Sequence, residues 1–148
     1  MKKNRFKNFY RNKKILVIGH TGFKGSWLTL CLKNLGSKLY GISLNVPTKP
    51  SHFEVSKIKK KIKDLRIDIR DYNKLKKKII LIKPDIIFHC AAQSLVKESF
   101  REPYKTWTTN LMGSINIFEI LKSYDFKKKV AVVIITSDKC YKNLNKTK

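Results

Sequence analysis

The feature that most constrains this chain is a short apolar run followed by three glycines spaced three residues apart. Residues 15–18 are all apolar, and Gly19, Gly22 and Gly25 follow before the sequence becomes amphipathic. This pattern is typical of a buried parallel strand, a tight turn and the first turn of a helix. The first glycine permits the sharp turn, the second lets a pyrophosphate approach the backbone, and the third lets the helix pack closely on the sheet. We therefore predict a dinucleotide site here.

A phosphate-binding loop of the Walker A type is excluded at the same place. That loop ends in Gly-Lys followed by Ser or Thr. Here Gly25 is followed by Ser26 and Trp27.

The strongly basic composition suggests a nucleic-acid partner, but the type and the distribution of the basic residues argue against one. The chain of 148 residues has a formal net charge of +24, but 29 of its 34 basic residues are lysines, and they are spread along the sequence. Bidentate recognition of phosphate and guanine favours arginine instead. A hydrophobic content of 42% is that of a globular protein. The length fits one domain.

Cysteine usage and apolar runs indicate the compartment. The three cysteines, Cys31, Cys90 and Cys140, have no metal-binding or CxxC spacing, so we predict no metal site. No secretory leader follows the basic N-terminus, and no apolar run has the length of a membrane span. We expect a cytoplasmic protein without a membrane segment.

Strand and helix patterns alternate through the rest of the chain. We predict strands over 14–19, 38–44, 62–69, 85–90 and 130–136, and helices over 23–35, 72–82, 95–101 and 103–124. In the first helix, Trp27, Leu28, Leu30, Cys31 and Leu35 are predicted to form the apolar stripe. Alternating strands and helices predict an α/β fold, a Rossmann-type doubly wound parallel sheet of order 3-2-1-4-5. Residues 1–13 are predicted to be an irregular basic extension, and 14–148 the dinucleotide-binding domain.

Residues that follow the strands are candidates for the site, because ligands bind at the carboxyl edge of such sheets. Asp68 is placed to accept a hydrogen bond from an adenine amino group, whereas Asp71 suits a helix N-cap. Ala91 and Ala92 leave room for a ribose and a nicotinamide. His89 lies within an apolar strand and is predicted to be buried and structural.

The ends of the second and fifth strands carry information about the cofactor and the reaction. The acidic residue expected about 20 positions after the glycines is missing, since the second strand ends in Ser43-Leu44-Asn45. The choice between NAD and NADP stays open at this point. After the fifth strand come Ser137, Asp138 and Lys139, a hydroxyl, an acid and an amine that could move protons.

These stretches together resemble the CDP-glucose 4,6-dehydratases, a branch of the extended short-chain dehydrogenases/reductases. The resemblance covers nearly the whole sequence and rests on GHTGFKGSWL (19–28), GISLNVPTKPSHFE (41–54), DIRD (68–71), FHCAAQSLVKESF (88–100), TNLMGS (109–114) and TSDKCYKN (136–143). Related nucleotide-sugar dehydratases carry Asp-Glu where Asp138-Lys139 stands here.

The resemblance implies NAD as the cofactor and CDP-glucose as the substrate, with the 4-keto-6-deoxy sugar nucleotide as the product of a redox-neutral loss of water. It implies that Ser137 hydrogen-bonds the C4 oxygen, Asp138 protonates the departing C6 hydroxyl, and Lys139 assists at C5. Motifs and resemblance together predict these cofactor-binding residues: Gly19, Thr21, Gly22, Phe23, Lys24, Gly25, Asp68, Ile69, Ala91, Ala92, Gln93 and Asn110.

The sequence departs from the family pattern in one respect. The family has a catalytic Tyr-x-x-x-Lys pair in a helix after the fifth strand, whereas the only tyrosine after that strand here is Tyr141, with Asn at position 145. We therefore expect the NAD-binding part of a dehydratase, truncated after the fifth strand. The expected protein partner is a second copy of the chain in a homodimer, or a missing C-terminal partner chain. The alternatives are a fragment of another sugar-nucleotide epimerase or dehydratase, and a non-catalytic dinucleotide-binding module.

We predict that the 148-residue chain does not turn over CDP-glucose alone, because the tyrosine that would take the C4 hydroxyl proton is not in this sequence after the fifth strand. Mass spectrometry of the sugar nucleotide after incubation with NAD detects the loss of one water. Turnover by the purified chain would contradict this expectation.

Overall fold

The computed structural model describes residues 2–137, and within this range the chain forms a five-stranded parallel sheet. The strand order is β3-β2-β1-β4-β5, with all four neighbouring pairs parallel. The strands are β1 Lys14–Ile18, β2 Lys38–Ser43, β3 Lys63–Arg66, β4 Ile86–His89 and β5 Ala131–Ile134. The predicted doubly wound sheet and its order 3-2-1-4-5 are confirmed.

Seven helices are described, and most lie where the sequence predicts them. They are α1 Lys2–Tyr10, α2 Phe23–Asn34, α3 His52–Val55, α4 Tyr72–Ile82, α5 Val96–Arg101, α6 Pro103–Trp107 and α7 Gly113–Lys122, with a 3₁₀ turn over Ile58–Lys61 and a π turn over Thr108–Met112. The helix predicted over 103–124 is therefore interrupted by a π turn, which inserts an extra residue into the helical ladder.

Two segments predicted to be irregular contain helices. α1 lies within the basic extension, and its last residue Tyr10 packs beside the core and accepts a hydrogen bond from the Ser37 hydroxyl at 3.1 Å. α3 begins after Ser51, whose hydroxyl accepts from the Glu54 N–H at 3.2 Å. Tertiary contact and a side-chain cap stabilise these short helices, which lack a clear apolar period.

The core lies on both faces of the sheet. One face packs under α4 and α7, through Leu16, Ile18, Ile42, Ile67, Ile69, Leu75, Ile79, Ile82, Ile87, Ile117 and Ile120. The other packs under α2, through Ile15, Val17, Leu32, Leu39, Ile86 and Phe88. β1 is central and has apolar contacts on both faces, which explains its unbroken apolar sequence.

The buried side of α2 differs from the predicted apolar stripe. Trp27 is 51% exposed and Cys31 is exposed, whereas Ser26, Thr29 and Leu32 are buried with Gly25. A Cβ on Gly25 would lie 2.1 Å from the Gly19 carbonyl oxygen. Because the start of the helix passes this close to the β1 turn, the small residues Ser26 and Thr29 are buried there, and the large apolar Leu32 is buried further along the helix.

Within residues 2–137, no helix combines the length and the apolar character that crossing a membrane requires.

Two leucines on α4 provide a matched test of this packing. Leu75 is fully buried and Leu81 is 71% exposed. Leu75→Ala leaves a cavity and should lower the free energy of unfolding by about 2–5 kcal/mol. Leu81→Ala should change it by less than about 0.5 kcal/mol. Urea denaturation followed by circular dichroism measures both, and equal effects would show that α4 packs through a different face.

Candidate dinucleotide site

The glycine turn after β1 is shaped by two close backbone approaches and one open position. Gly19 has φ +90°, and a Cβ there would lie 2.5 Å from the Ala91 nitrogen. At Gly25 a side chain would clash with the Gly19 carbonyl. At Gly22 the nearest atom to an added Cβ, the Gly19 oxygen, is 3.5 Å away, an ordinary contact. Two glycines thus serve internal packing, and Gly22 leaves space facing the cleft.

The open space at Gly22 lies at the N-terminus of α2. Gly22 is the N-cap residue, and it supplies no side-chain cap. The first N–H groups of an α-helix have no acceptor within the helix, and the helix dipole adds partial positive charge there. This end of α2 is therefore suited to an anionic group such as a pyrophosphate.

The glycine turn is fastened to the end of β2. The Thr21 N–H donates to the Ser43 hydroxyl at 3.3 Å, and the Thr21 hydroxyl donates to the Asn45 carbonyl at 3.3 Å. Arg66 on β3 donates through Nη1 to the Leu44 carbonyl and through Nη2 to Asp64 Oδ2 at 2.8 Å. These bonds fix the backbone that forms one wall of the cleft.

His20 anchors the turn to the edge strand across β2. Its ring is fully buried, and Nε2 lies 2.8 Å from Asp64 Oδ1. The ring passes over Gly41, where a Cβ would lie 2.5 Å from it. Burial lowers the pKa of His20, although the neighbouring Asp64 carboxylate opposes that shift. Sequence reasoning missed this contact, because His20 and Asp64 are 44 positions apart.

Asp68 lies at the cleft but its carboxylate is already paired. It accepts from the Arg70 backbone N–H at 2.9 Å and from Arg70 Nη2 at 2.6 Å. The hydrogen bond from Arg70 lowers the pKa of Asp68 below its usual value, so the carboxylate stays ionised. Asp71 caps α4 by accepting from the Lys74 N–H at 3.0 Å, as predicted.

The loop after β4 is held by Asn110 in the π turn. The Gln93 N–H donates to Asn110 Oδ1 at 2.7 Å, and Asn110 Nδ2 donates to the Gln93 carbonyl at 3.0 Å. Gln93 Nε2 also donates to the Thr106 hydroxyl at 3.0 Å. Both polar atoms of the Asn110 side chain are thus bonded to the loop backbone, which places Ala91 and Ala92 against the cleft.

His89 belongs to the same network and is buried, as predicted. Its Nε2 lies 3.0 Å from the Ser114 hydroxyl, which donates to the Asn110 carbonyl at 2.8 Å. Because the Ser114 hydroxyl donates its proton to the Asn110 carbonyl, it can only accept from His89. Nε2 of His89 therefore carries a proton and donates it to the Ser114 oxygen. Nδ1 is buried and has no hydrogen-bond partner among the described residues. Burial lowers the pKa of His89, because the charged imidazolium would lose its hydration.

The cleft at the carboxyl edge brings together most of the predicted cofactor residues. It is lined by Gly19, Thr21, Gly22, Asp68, Ile69, Ala91 and Ala92, together with Ser43, Leu44, Asn45, Pro47, Ile67, Cys90 and Thr109. Phe23 and Lys24 are exposed at the start of α2. Lys24 is close enough for its charge to act on Cys90, whose thiol pKa is raised by burial. The lining does not include three other predicted cofactor residues: Gly25 packs on the Gly19 carbonyl, and Gln93 and Asn110 are hydrogen-bonded to each other.

The three predicted catalytic residues are only partly described. Ser137 lies just beyond β5, at the same edge of the sheet. Asp138 and Lys139 lie outside the described residues.

The sheet is open and parallel, and its cleft lies beside β1, where one crossover leads to β2 on one side and another leads to β4 on the other. Together with the glycine turn and the helix N-terminus, this arrangement defines a Rossmann-type nucleotide-binding fold. The chain belongs to the GDP-mannose 4,6 dehydratase family, whose model matches residues 16–148.

Known proteins agree with this assignment. A CDP-glucose 4,6-dehydratase from Salmonella typhimurium is 47% identical over 137 residues, which are 93% of this chain and 38% of that protein. A UDP-glucose 4-epimerase from Mycoplasma genitalium is 30% identical over 74% of this chain and 32% of its own length. The chain thus spans about a third to two fifths of the length of these curated relatives.

Solved structures share the fold. A UDP-glucose 4-epimerase from Stenotrophomonas maltophila, with bound NAD and formylated UDP-arabinopyranose, superimposes with a TM-score of 0.71 at 23% identity, covering 90% of this chain and 40% of that one. The Thermus thermophilus UDP-glucose 4-epimerase in complex with NAD has a TM-score of 0.66 at 26% identity, covering 76% and 35% of the two chains.

The buried His89 predicts a pH dependence of stability. Its lowered pKa means that, just below pH 6.5, the unfolded chain binds a proton that the folded chain does not. Above the pKa of His89 in the unfolded chain, the free energy of unfolding does not depend on this group. As the pH drops below that value, protonation of the unfolded chain lowers the free energy of unfolding. His89→Gln, which keeps a donor toward Ser114 but does not titrate, should reduce the loss of stability between pH 7.5 and pH 5.5. Urea midpoints at the two pH values measure this, and an unchanged difference would contradict it.

Proposed function

We propose that this chain is the NAD-binding part of a nucleotide-sugar 4,6-dehydratase that acts on CDP-glucose. The observation that carries the proposal is the glycine turn, in which Gly19 and Gly25 are required by packing and Gly22 alone faces open space at the N-terminus of α2. A pyrophosphate fits that space sterically and electrostatically. The 47% identity to a CDP-glucose 4,6-dehydratase supports the choice of substrate.

The cleft supports a dinucleotide rather than a mononucleotide. It extends from Asn45 and Pro47 at the end of β2 to Ala91 and Ala92 after β4, with the glycine turn between. A cofactor spanning it would place adenosine toward β2 and β3 and nicotinamide toward β4 and β5. The small side chains of Ala91 and Ala92 leave space for the nicotinamide ribose.

The resemblance to the CDP-glucose 4,6-dehydratases supplies the roles of the residues that follow the fifth strand. When bound, NAD would supply a hydride acceptor for sugar C4 and a hydride donor for C6. Ser137 at the carboxyl edge would hydrogen-bond the C4 oxygen, Asp138 would protonate the departing C6 hydroxyl, and Lys139 would assist at C5. His89 and Asn110 would position the loop that faces the nicotinamide.

We extend the proposal to assembly and compartment. Between the start of α6 and the end of α7, Trp107 is 67% exposed and Leu111 is 48% exposed. This apolar surface suits contact with a second copy of the chain, or with a partner chain that carries the C-terminal part of the enzyme. The predicted compartment is the cytoplasm, where the free thiols of Cys31 and Cys90 stay reduced.

Two glycine variants separate cofactor binding from folding. Gly22→Ala should cost less than about 1 kcal/mol of stability, since it adds a methyl group without a clash and only weakens an N-cap. It should still weaken NADH binding about tenfold or more, because the methyl occupies the place of the pyrophosphate. Gly25→Ala should destabilise the fold by several kcal/mol through its 2.1 Å approach to the Gly19 oxygen.

Isothermal titration with NADH and urea denaturation measure the two effects. Leu81→Ala, near the C-terminal end of α4, is the control; Leu81 is 71% exposed, so its loss should leave both NADH binding and stability nearly unchanged. If the wild-type chain does not bind NADH, the proposed function is wrong. If it binds NADH and Gly22→Ala binds equally well, the glycine turn is not the pyrophosphate site.

A further inference from the structure

Lysines gather at the amino edge of the sheet, where the parallel strands begin. β1, β2 and β3 each start with a lysine, namely Lys14, Lys38 and Lys63, and Lys14 is paired in register with Lys38. Four lysines lie within residues 57–61, just before β3, and the run Lys127–Lys129 comes before β5. Although these residues are far apart in the sequence, the parallel pairing of the strands brings them to one edge.

A groove at this edge is lined by lysines. It has a volume of about 420 Å³, lies between the end of α2 and the starts of β2 and β3, and has five lysines in its lining: Lys33, Lys38, Lys60, Lys61 and Lys63. All five are exposed, and none of them pairs with a carboxylate among the residues that the structure describes. Lys63 Nζ lies 5.4 Å from the centre of the Tyr40 ring, which also lines the groove. The groove is therefore suited to an anionic head group.

Acidic groups offset little of this charge. In the segments that lead from the helices into the five described strands, the acids are Asp85 and Asp125. Asp85 accepts a hydrogen bond from the Lys14 backbone N–H at 2.8 Å and is paired with Lys128. Its carboxylate is thus already used within the chain, and the amino edge stays strongly positive.

The N-terminal helix adds exposed aromatic side chains beside the same edge. α1 lies before the stretch that the family model matches. Phe6 is 62% exposed and Phe9 is 55% exposed, and a spacing of three residues places them on one side of the helix. The chain after α1 is held at the amino edge, because the Asn12 N–H donates to the Gly36 carbonyl at 2.9 Å. Lys13 Nζ lies 5.1 Å from the centre of the Phe9 ring.

Lysines beside exposed phenylalanines favour an anionic lipid surface over a nucleic acid. A lysine ammonium group is a compact charge without a fixed fork of donors, whereas arginine is the preferred residue for nucleic-acid recognition. Clustered lysines are attracted to anionic lipids, and neighbouring phenylalanines can enter the boundary between head groups and acyl chains. A nucleic acid offers no such apolar layer to Phe6 and Phe9.

We propose that the amino edge of the sheet, together with α1, is a docking surface for a membrane that contains anionic phospholipids. The chain lies on the membrane without crossing it. The dinucleotide cleft is at the opposite, carboxyl edge of the sheet, so it stays open to its ligands in the docked state. This inference goes beyond the proposed function and does not depend on it.

Sedimentation with vesicles at physiological salt tests the charge of this surface. We expect the chain to bind vesicles of phosphatidylcholine mixed with phosphatidylglycerol about tenfold or more tightly than vesicles of phosphatidylcholine alone. Lys60→Glu combined with Lys61→Glu should weaken binding to the mixed vesicles about tenfold or more. The matched control combines Lys49→Glu with Lys97→Glu, which follow β2 and β4, and should weaken it less than about threefold. All four lysines are exposed, and circular dichroism checks that the variants fold.

A second pair of variants tests the aromatic contribution. Phe6→Ser should weaken binding to the mixed vesicles about threefold or more, because its ring no longer enters the lipid boundary. Phe100→Ser removes an 84% exposed ring on α5 and should leave vesicle binding nearly unchanged. Binding of each variant to a DNA duplex, measured by fluorescence anisotropy, should stay within about twofold of the wild type, because it depends on charge alone.

Three outcomes would overturn the inference. The first is that the wild-type chain does not bind the mixed vesicles. The second is an equal loss of binding from both charge-reversal pairs, since the net charge of +24 and not the amino edge would then attract the lipid. The third is a DNA duplex bound more tightly than the vesicles with no effect of Phe6→Ser, which would assign the surface to nucleic acid.

NADH titration keeps this inference apart from the proposed function. Lys60→Glu with Lys61→Glu should leave the dissociation constant for NADH within about twofold, because these residues lie at the edge opposite the cleft. Loss of vesicle binding with retained NADH binding supports the docking surface. If the wild-type chain binds vesicles but not NADH, the proposed function is wrong and the docking surface stands.

Discussion

The architecture of the site depends on the contact between the turn after β1 and the first turn of α2. A Cβ on Gly25 would lie 2.1 Å from the Gly19 carbonyl oxygen, so the two segments touch through backbone alone. This approach selects Ser26 and Thr29 for the buried side of α2 and leaves Trp27 exposed. It also aims the N-terminus of the helix at the carboxyl edge of the sheet, where an anionic ligand meets N–H groups and a favourable dipole.

Polar bonds between distant segments then hold the walls of the cleft. Thr21 joins the turn to the end of β2 through Ser43 and the Asn45 carbonyl, and Asn110 holds the loop after β4 through Gln93. Buried polar groups that are hydrogen-bonded in this way stabilise one arrangement of backbone, because breaking a bond leaves a desolvated donor or acceptor. The walls of the cleft are thus held by hydrogen bonds within the chain.

The charge distribution favours an anionic ligand at this edge. The chain has 34 basic and only 10 acidic residues, and the carboxylates of Asp64 and Asp68 at the carboxyl edge are each bonded to an arginine. A field of one sign raises the local concentration of a phosphate-bearing ligand and the rate of its association. The lysines, which make up most of the basic residues and are spread along the sequence, contribute to that field.

The sequence by itself determined the β-α order, the glycine turn, the Asp71 cap and the burial of His89 through local apolar runs, turn residues and caps, and it determined the strand order through the topology rules of doubly wound sheets. It did not determine α1, the π turn that holds Asn110, or the buried side of α2. Nor could it show that Arg66 lies beside the end of β2 or that His20 reaches Asp64 across Gly41. Those relations join residues 22 and 44 positions apart. Only tertiary structure decides them, because the pairing of parallel strands brings such residues together after the chain has crossed over the sheet.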